Sequence, residues 1–345
     1  MADLNKLVND FIDIKTDIIN CHAKLKGKLI SKNVIVNDEK LSDMIDKIDD
    51  IKVGGSEFPE WIKKAGLWIS AADMPDTIAY TSAVAIDGKA YLFDGNNGSY
   101  TQKTSCYDPV SNSWTTKANM PSKIAYTSAV TINGKAYVFG GYGNSKYHNT
   151  TYCYDPVSDS WTTKADMPIV VRAPSAVAID GKAYVFGGYN GSSYTSRTSC
   201  YDPVSDSWST KADMPDAIGY ASAVVIDGKA YVVGVYNGYY TQKTYCYDPV
   251  SDSWTIKANM PAQIRSTSAV TINGKAYVFG GYGNSKYHNK TYCYDPVSDS
   301  WSTKADMPST IAYTSAVTIN GKAYVFGGHD GSTYYNTTYC YLISQ

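Results

Sequence analysis

The pattern of apolar and polar positions over residues 127–163 predicts four short strands. Residues 127–132 are rich in β-branched side chains and close on Asn133-Gly134, the signal for a type I′ hairpin turn. Residues 135–139 return as a second strand, and Gly140-Gly141 ends it where the backbone needs a positive φ. A polar loop over 142–149 leads to a third strand at 151–154. Asp155-Pro156-Val157-Ser158 is turn chemistry, with Pro fixing φ, and a fourth strand at 160–163 carries Trp161. The pattern then starts again. Met-Pro recurs at Met74, Met120, Met167, Met214, Met260 and Met307, in steps of 46 or 47 residues. A period of this size, with one small antiparallel sheet per copy, predicts blades stacked face to face.

Six copies should close into a ring. The last copy stops at Tyr341-Leu342, after its third strand, with no Trp of its own. The missing residue stands ahead of the first copy, at Trp68 in Gly66-Leu67-Trp68-Ile69-Ser70, so an N-terminal strand is expected to complete the last blade and remove its open edge. Repeated aromatics such as Tyr137 and Trp161 are expected between blades, each burying about 150–250 Å². Two copies depart from the glycine pair, at Asp94-Gly95 and Gly234-Val235. Copies 1 and 4, 2 and 5, and 3 and 6 are the most alike, each offset by 140 residues, so the chain looks like a duplicated three-blade half.

The paired glycines, the Tyr that follows them, the Tyr-Asp-Pro turn and the spaced Trp resemble the kelch repeat over residues 66–345. That resemblance implies a mainly β, six-bladed kelch propeller, and it implies that the start of each first strand faces the mouth where ligands bind. Those positions are Tyr80, Tyr126, Ala173, Tyr220, Ser266 and Tyr313; where Tyr is missing, Arg172 and Arg265 stand one residue earlier. The loops after the second strands should border the same mouth, bringing Tyr142, Tyr189, Tyr236, Tyr282 and His329. Tyr, Asn, Ser and Gly in such loops give rigid amphipathic contact area with adaptable hydrogen bonding. Tyr faces can stack on sugar rings, and Arg can fix a carboxylate or phosphate with two parallel bonds.

Before the repeats the chain reads differently. Leu4, Leu7, Phe11, Ile14, Ile18, Cys21 and Leu25 alternate in steps of three and four, the seam of a coiled coil over residues 1–30. Ile and Leu in that seam favour a homotrimer. Residues 31–55 predict a short apolar stretch and a second helix capped at Asn37 or Asp38, and 56–65 form a link. Residues 26–51 resemble a small module of tail proteins from phages that infect Firmicutes: a Lys-Gly turn, short apolar residues, then a Leu/Ile helix.

Charge and composition narrow the function. A net charge of −1 without a basic stripe argues against nucleic acid, and no apolar run suggests membrane insertion. The charged, periodic N-terminus is not a secretory signal, so synthesis in the bacterial cytoplasm is expected. Cys106, Cys153, Cys200, Cys246, Cys293 and Cys340 occupy one place in six blades, too far apart to bridge. No glutamate follows Glu60, and aspartates such as Asp108, Asp155, Asp202, Asp248 and Asp295 fall in repeated turns. A glycosidase pair of carboxyls is therefore not evident. No metal, no cofactor and no catalysis are expected. The reading is a tail-associated protein of a phage or prophage, in the virion tail, whose propeller binds a bacterial cell-surface glycan and whose arm joins tail or baseplate proteins. The alternatives are a kelch enzyme that processes a sugar acid, and an intracellular kelch scaffold that binds an acidic peptide.

Overall fold

The computed structural model describes residues 66–343. The coiled-coil seam from Leu4 to Leu25, the second helix and the link expected over 1–65 lie outside the described residues. Within 66–343 the elements are strands, turns and short bridges, with no helix. Six antiparallel sheets of four strands form six blades. Blades 1 to 5 are continuous in sequence; blade 2, for example, has strands Ser128–Ile132, Lys135–Phe139, Thr151–Asp155 and Ser160–Lys164. The expected bounds hold to within one residue. Asn133 and Gly134 have φ of 50° and 73°, the double positive that a type I′ turn requires.

The first strand of every blade is innermost, and successive first strands lie side by side around the axis, that of blade 6 against that of blade 1. Ring closure follows the prediction. Leu67–Ala71 pairs antiparallel with Thr338–Leu342 in the register Leu67↔Leu342 to Ala71↔Thr338, as the outer strand of blade 6. The Trp68 indole N–H donates to the Ala305 carbonyl at 3.0 Å. The same bond recurs from Trp114 to Ala72, Trp161 to Ala118, Trp208 to Ala165, Trp254 to Ala212 and Trp301 to Ala258. Trp68 is thus the sixth member of a series, supplied from the other end of the chain.

The core lies between blades. Trp161 meets Phe93 of the preceding blade edge-on at 5.2 Å, and Tyr137 meets Tyr201 of the following one at 5.7 Å. The six cysteines are buried and free, packed as small apolar groups. Repeated aspartates are absorbed by structure. The Asp155 carboxylate accepts from the Val157 N–H at 2.9 Å and pairs with Lys135 at 2.9 Å. Asp159 accepts from the Tyr154 hydroxyl and from the Ala118 N–H, tying the turn of blade 2 to the passage that leaves blade 1. The strand directions put these turns at one end of the ring. The loops after the second strands, and the passages between blades, lie at the other end, the mouth.

Candidate functional site

Six equivalent residues build the centre of the mouth. Tyr80, Tyr126, Ala173, Tyr220, Ser266 and Tyr313 all take left-handed φ, between 51° and 61°. They stand two residues before each first strand, in a hook. The hook turns each N–H towards the preceding blade. Tyr126 N–H donates to the Tyr80 carbonyl at 3.0 Å, Ala173 to Tyr126 at 2.8 Å and Tyr220 to Ala173 at 3.0 Å. Ser266 donates to Tyr220 at 2.9 Å, Tyr313 to Ser266 at 2.9 Å and Tyr80 to Tyr313 at 3.0 Å. These bonds close a circle in which every blade holds the next. A left-handed residue with a large side chain is strained, and six in register mark a conformation imposed by the ring.

Four tyrosines rise from this circle. Tyr80 packs on Tyr126 and Tyr313 with ring centroids 4.4 and 4.3 Å away, and Tyr126 meets Tyr220 edge-on at 6.3 Å. Burial pushes all four phenols above their usual pKa, so they remain neutral hydroxyls. Together with layers of small residues such as Thr127, Ser128 and Ala129 they line an axial cavity of about 180 Å³. Hydroxyl pairs bridge neighbouring blades there, including Ser82 with Thr127 at 2.8 Å and Ser268 with Thr314 at 2.8 Å.

A second circle surrounds the first. Five of the six loops after a second strand offer an aromatic at their start, and all six offer another four or five residues later. Centroid contacts run from Tyr100 to Tyr142 at 5.8 Å, Tyr142 to Tyr147 at 4.9 Å and Tyr147 to Tyr189 at 5.8 Å. They continue from Tyr189 to Tyr194 at 5.2 Å, Tyr194 to Tyr236 at 5.5 Å and Tyr236 to Tyr240 at 5.2 Å. From Tyr240 the belt passes to Tyr282 at 6.1 Å, Tyr287 at 4.8 Å, His329 at 6.1 Å and Tyr334 at 4.5 Å. The Tyr334 hydroxyl then donates to Asn96, the polar residue that stands in blade 1 where other blades place an aromatic. All of these side chains are half-buried.

Arg172 and Arg265 belong to the outer circle, one residue before the hook. Arg172 bridges to Tyr189 and Arg265 to Tyr282 through the backbone. The Arg172 guanidinium lies 5.2 Å from the Tyr189 centroid, 5.7 Å from Tyr142 and from Tyr147, and 5.9 Å from Tyr220. The Arg265 guanidinium lies 4.4 Å from Tyr236 and 4.7 Å from Tyr220. Every ion pair among the described residues joins Lys to Asp, and none includes an arginine. Ring faces, not carboxylates, hold these two cations.

The profile described as the KLHDC2/KLHL20/DRC7 Kelch-repeats domain matches residues 80–261 and, in a second match, 255–345. The chain belongs to the kelch-repeat family. Among solved structures it is similar to the one titled "Structure of YjhT", with a TM-score of 0.69 and 18% identity over 78% of this chain and 95% of that one. At that identity the likeness speaks for the shared kelch fold alone. No curated protein matches the sequence.

On this kelch propeller the structure places all of the sequence-predicted mouth residues at one end of the ring. It sorts them into an inner set (Tyr80, Tyr126, Tyr220, Tyr313) and an outer set (Tyr142, Arg172, Tyr189, Tyr236, Arg265, Tyr282, His329). The expected single rim of four tyrosines and two arginines is therefore two concentric sets. Sequence reasoning did not single out Tyr100, Tyr147, Tyr194, Tyr240, Tyr287 and Tyr334 as site residues. Their signal is the aromatic that recurs four or five residues after each loop begins. His148 and His288, in opposite blades, bond their own loops, with ring nitrogens 3.2 and 3.1 Å from the Gly143 and Gly283 carbonyls. Among the described residues no group of three or more His, Cys, Asp or Glu could hold a metal ion.

One kelch departure has its own chemistry. Asp94 replaces the first glycine of the pair, keeps its positive φ of 57° and is buried. Its Oδ2 accepts from the Thr127 hydroxyl, and its Oδ1 is buried without a partner. Burial raises its pKa well above the ordinary carboxyl value, so the acid is held towards its neutral form.

Proposed function

We propose that this kelch protein is a tail-associated, receptor-binding protein of a phage or prophage, and that its propeller mouth takes a bacterial surface glycan. The observation that carries the reading is the belt of aromatic rings running from Tyr100 round to Tyr334, half-buried, with polar Asn, Ser and Gly between them. Planar phenols fixed by packing give flat apolar faces for sugar rings at little cost in conformational entropy, and their hydroxyls bond the sugar's own. The seam from Leu4 to Leu25 supplies the other half of the reading. Several heads on one trimeric arm would turn weak single contacts into firm attachment through effective concentration.

The belt and the two arginines beside it offer phenols, guanidiniums and the His329 imidazole, a set suited to holding a ligand, and the reading is accordingly one of binding without turnover. A scaffold for an acidic peptide is the second reading, favoured by the absence of acidic partners at Arg172 and Arg265 among the described residues. The test is binding of the fluorescently labelled full chain to whole bacterial cells, before and after protease and after removal of the wall glycan. The expected result is binding that survives protease and is lost with the glycan. Binding lost with protease and indifferent to glycan removal would reject this function in favour of the peptide reading.

A further inference from the structure

The two arginines break the internal symmetry of the ring in a way that points to a charge on the ligand. Half a turn away, 140 residues along the chain, Arg172 is matched by Ala312 and Arg265 by Ala125. Their neighbours in the hook, Ala173 and Ser266, are matched by Tyr313 and Tyr126. Two separate departures thus each remove a tyrosine and add a guanidinium. They fall in blades 3 and 5, on either side of Tyr220, whose ring lies 5.9 Å from one guanidinium and 4.7 Å from the other. On the other side of the axis Tyr80 remains packed between Tyr313 and Tyr126. The mouth has an apolar half and a cationic half, and the cationic half has gaps where two rings are missing.

Nothing neutralises that half among the described residues. The Nε atoms of Arg172 and Arg265 are buried without a hydrogen-bond partner, and neither guanidinium has an ion-pair partner. Asp330, in the loop of blade 6, is already engaged by the Tyr335 hydroxyl at 2.6 Å and by Ser332 and Thr333. Asp94 is buried on the apolar side beside Thr127. Two half-buried cations sharing one ring, without an acid, repel each other and gain from an anion placed between them.

We infer that the glycan taken by the mouth is anionic, and that its carboxylate or phosphate sits between Arg172 and Arg265, beside Tyr220, in the space left by Ala173 and Ser266. This deepens the glycan-binding reading and rests on it for the sugar part of the ligand. Stacking on the belt supplies contact area, and the charged group fixes where along the chain the mouth stops.

Calorimetric titration of the full chain tests the inference with four probes: an oligogalacturonate, its neutral methyl ester, a ribitol-phosphate oligomer and an oligoglutamate peptide. At least one acidic oligosaccharide is expected to bind, and galacturonate against ribitol phosphate tells carboxylate from phosphate. The methyl ester is expected to bind at least tenfold more weakly than the acid if the carboxylate is the group read. R172Q and R265Q should each lower the affinity for the acidic probe by at least tenfold and flatten its dependence on salt. Lysine at the same positions keeps the charge without the fork and should restore part of the loss, with thermal melts checking that each variant folds. Equal binding of neutral and acidic sugars, unchanged in the glutamine variants, would overturn the anion site and leave the glycan reading standing. Arginine-dependent binding of the peptide alone would do the reverse. Binding of no anionic probe would overturn the inference.

Discussion

At the end of the ring away from the mouth, five blades carry one turn, Asp-Pro-Val-Ser, followed by Asp in four and by Asn112 in the first. Each first aspartate accepts from the backbone N–H two residues on, at 2.9–3.0 Å. Each also pairs with the lysine that opens the second strand of its blade. At the mouth the backbone repeats as faithfully, with the same hook and the same circle of hydrogen bonds, but the side chains do not. The hook holds Tyr, Ala or Ser, the residue before it Ala, Arg or Gly, and the loop start Asn, Tyr or His. Asp94 and Val235 apart, the copies agree where the ring needs the residue to fold. They differ where a side chain serves neither the hook nor the blade interface, and that difference locates the candidate site.

The comparison breaks most completely at blade 6, whose outer strand comes from the other end of the chain. Trp68 packs on Phe279 at 5.1 Å and on Tyr341 at 4.8 Å as well as bonding Ala305. Trp68 is half-buried, and Trp68→Ala is expected to cost about 3 kcal/mol, the lower end of the range for large aromatics removed from a core. Deleting residues 67–71 should go further and expose the edge of Thr338–Leu342 to pairing with other chains. Denaturant melts and light scattering check both: unfolding midpoints equal to those of the parent chain would mean the ring does not depend on its closure.

Replacing outer tyrosines should separate the two ends by function. Tyr189 and Tyr236 are half-buried and lie in loops, with Arg172 and Arg265 over their faces. Changing both to Ala should lower cell binding by roughly thirtyfold, the loss of about 2 kcal/mol usual for an aromatic anchor. Folding stability should fall by only about 1 kcal/mol. If cell binding and stability fall together, the belt is packing and not a contact surface.

How much of this was legible follows the same division. The strands, the type I′ turns, the six-fold count and the closing role of Trp68 were readable because each rests on local chemistry repeated six times. That Tyr80 and its counterparts face one mouth was readable from register and the kelch resemblance. Their left-handed backbone was not, because it is imposed by hydrogen bonds to the preceding blade, and nothing in Ala79-Tyr80-Thr81 announces it. The hook is also why Arg172 and Arg265 leave the inner set, since a shift of one residue at a turn changes which circle a side chain joins. Tyr147 and Tyr194 escaped notice because the contacts that make them part of a belt, with Tyr189 and Tyr236, bring together loops of different blades.

Asp94 sharpens the comparison from inside a blade, because it is a mouth-side departure at a position the fold does use. A carboxyl whose pKa is raised by burial stays protonated in the folded chain and ionises in the unfolded one. Between the two pKa values the unfolded state binds fewer protons, so stability falls as pH rises from about 4, the ordinary aspartate value. D94G restores the kelch glycine pair and D94N removes the charge, so both should melt higher than the parent at pH 7. A gain of about 1–3 kcal/mol is expected for D94G, which leaves no buried polar side chain there, and a smaller one for D94N, whose amide stays buried. The advantage should shrink towards pH 4. Thermal melts across that range decide it, and a pH-independent difference would show that burial of the acid is not what costs stability.

The smallest effect is expected at the turns away from the mouth, and it is the control that gives the others meaning. Val110, Val157, Val204, Val250 and Val297 stand at the tips of the repeated turns and are 91–93% exposed. The turn is held by the aspartate and the proline before each valine, so the valine side chain contributes nothing to the fold that another residue would not. Replacing all five with Ser should change stability by no more than about 0.5 kcal/mol at each position. It should leave cell binding at the parent level. Identity among copies would then reflect shared descent from a duplicated unit, and variation among copies would be the informative signal. Loss of cell binding in the five-fold serine variant, with the melt unchanged, would instead make this end a contact surface and remove the reason for placing the ligand at the mouth.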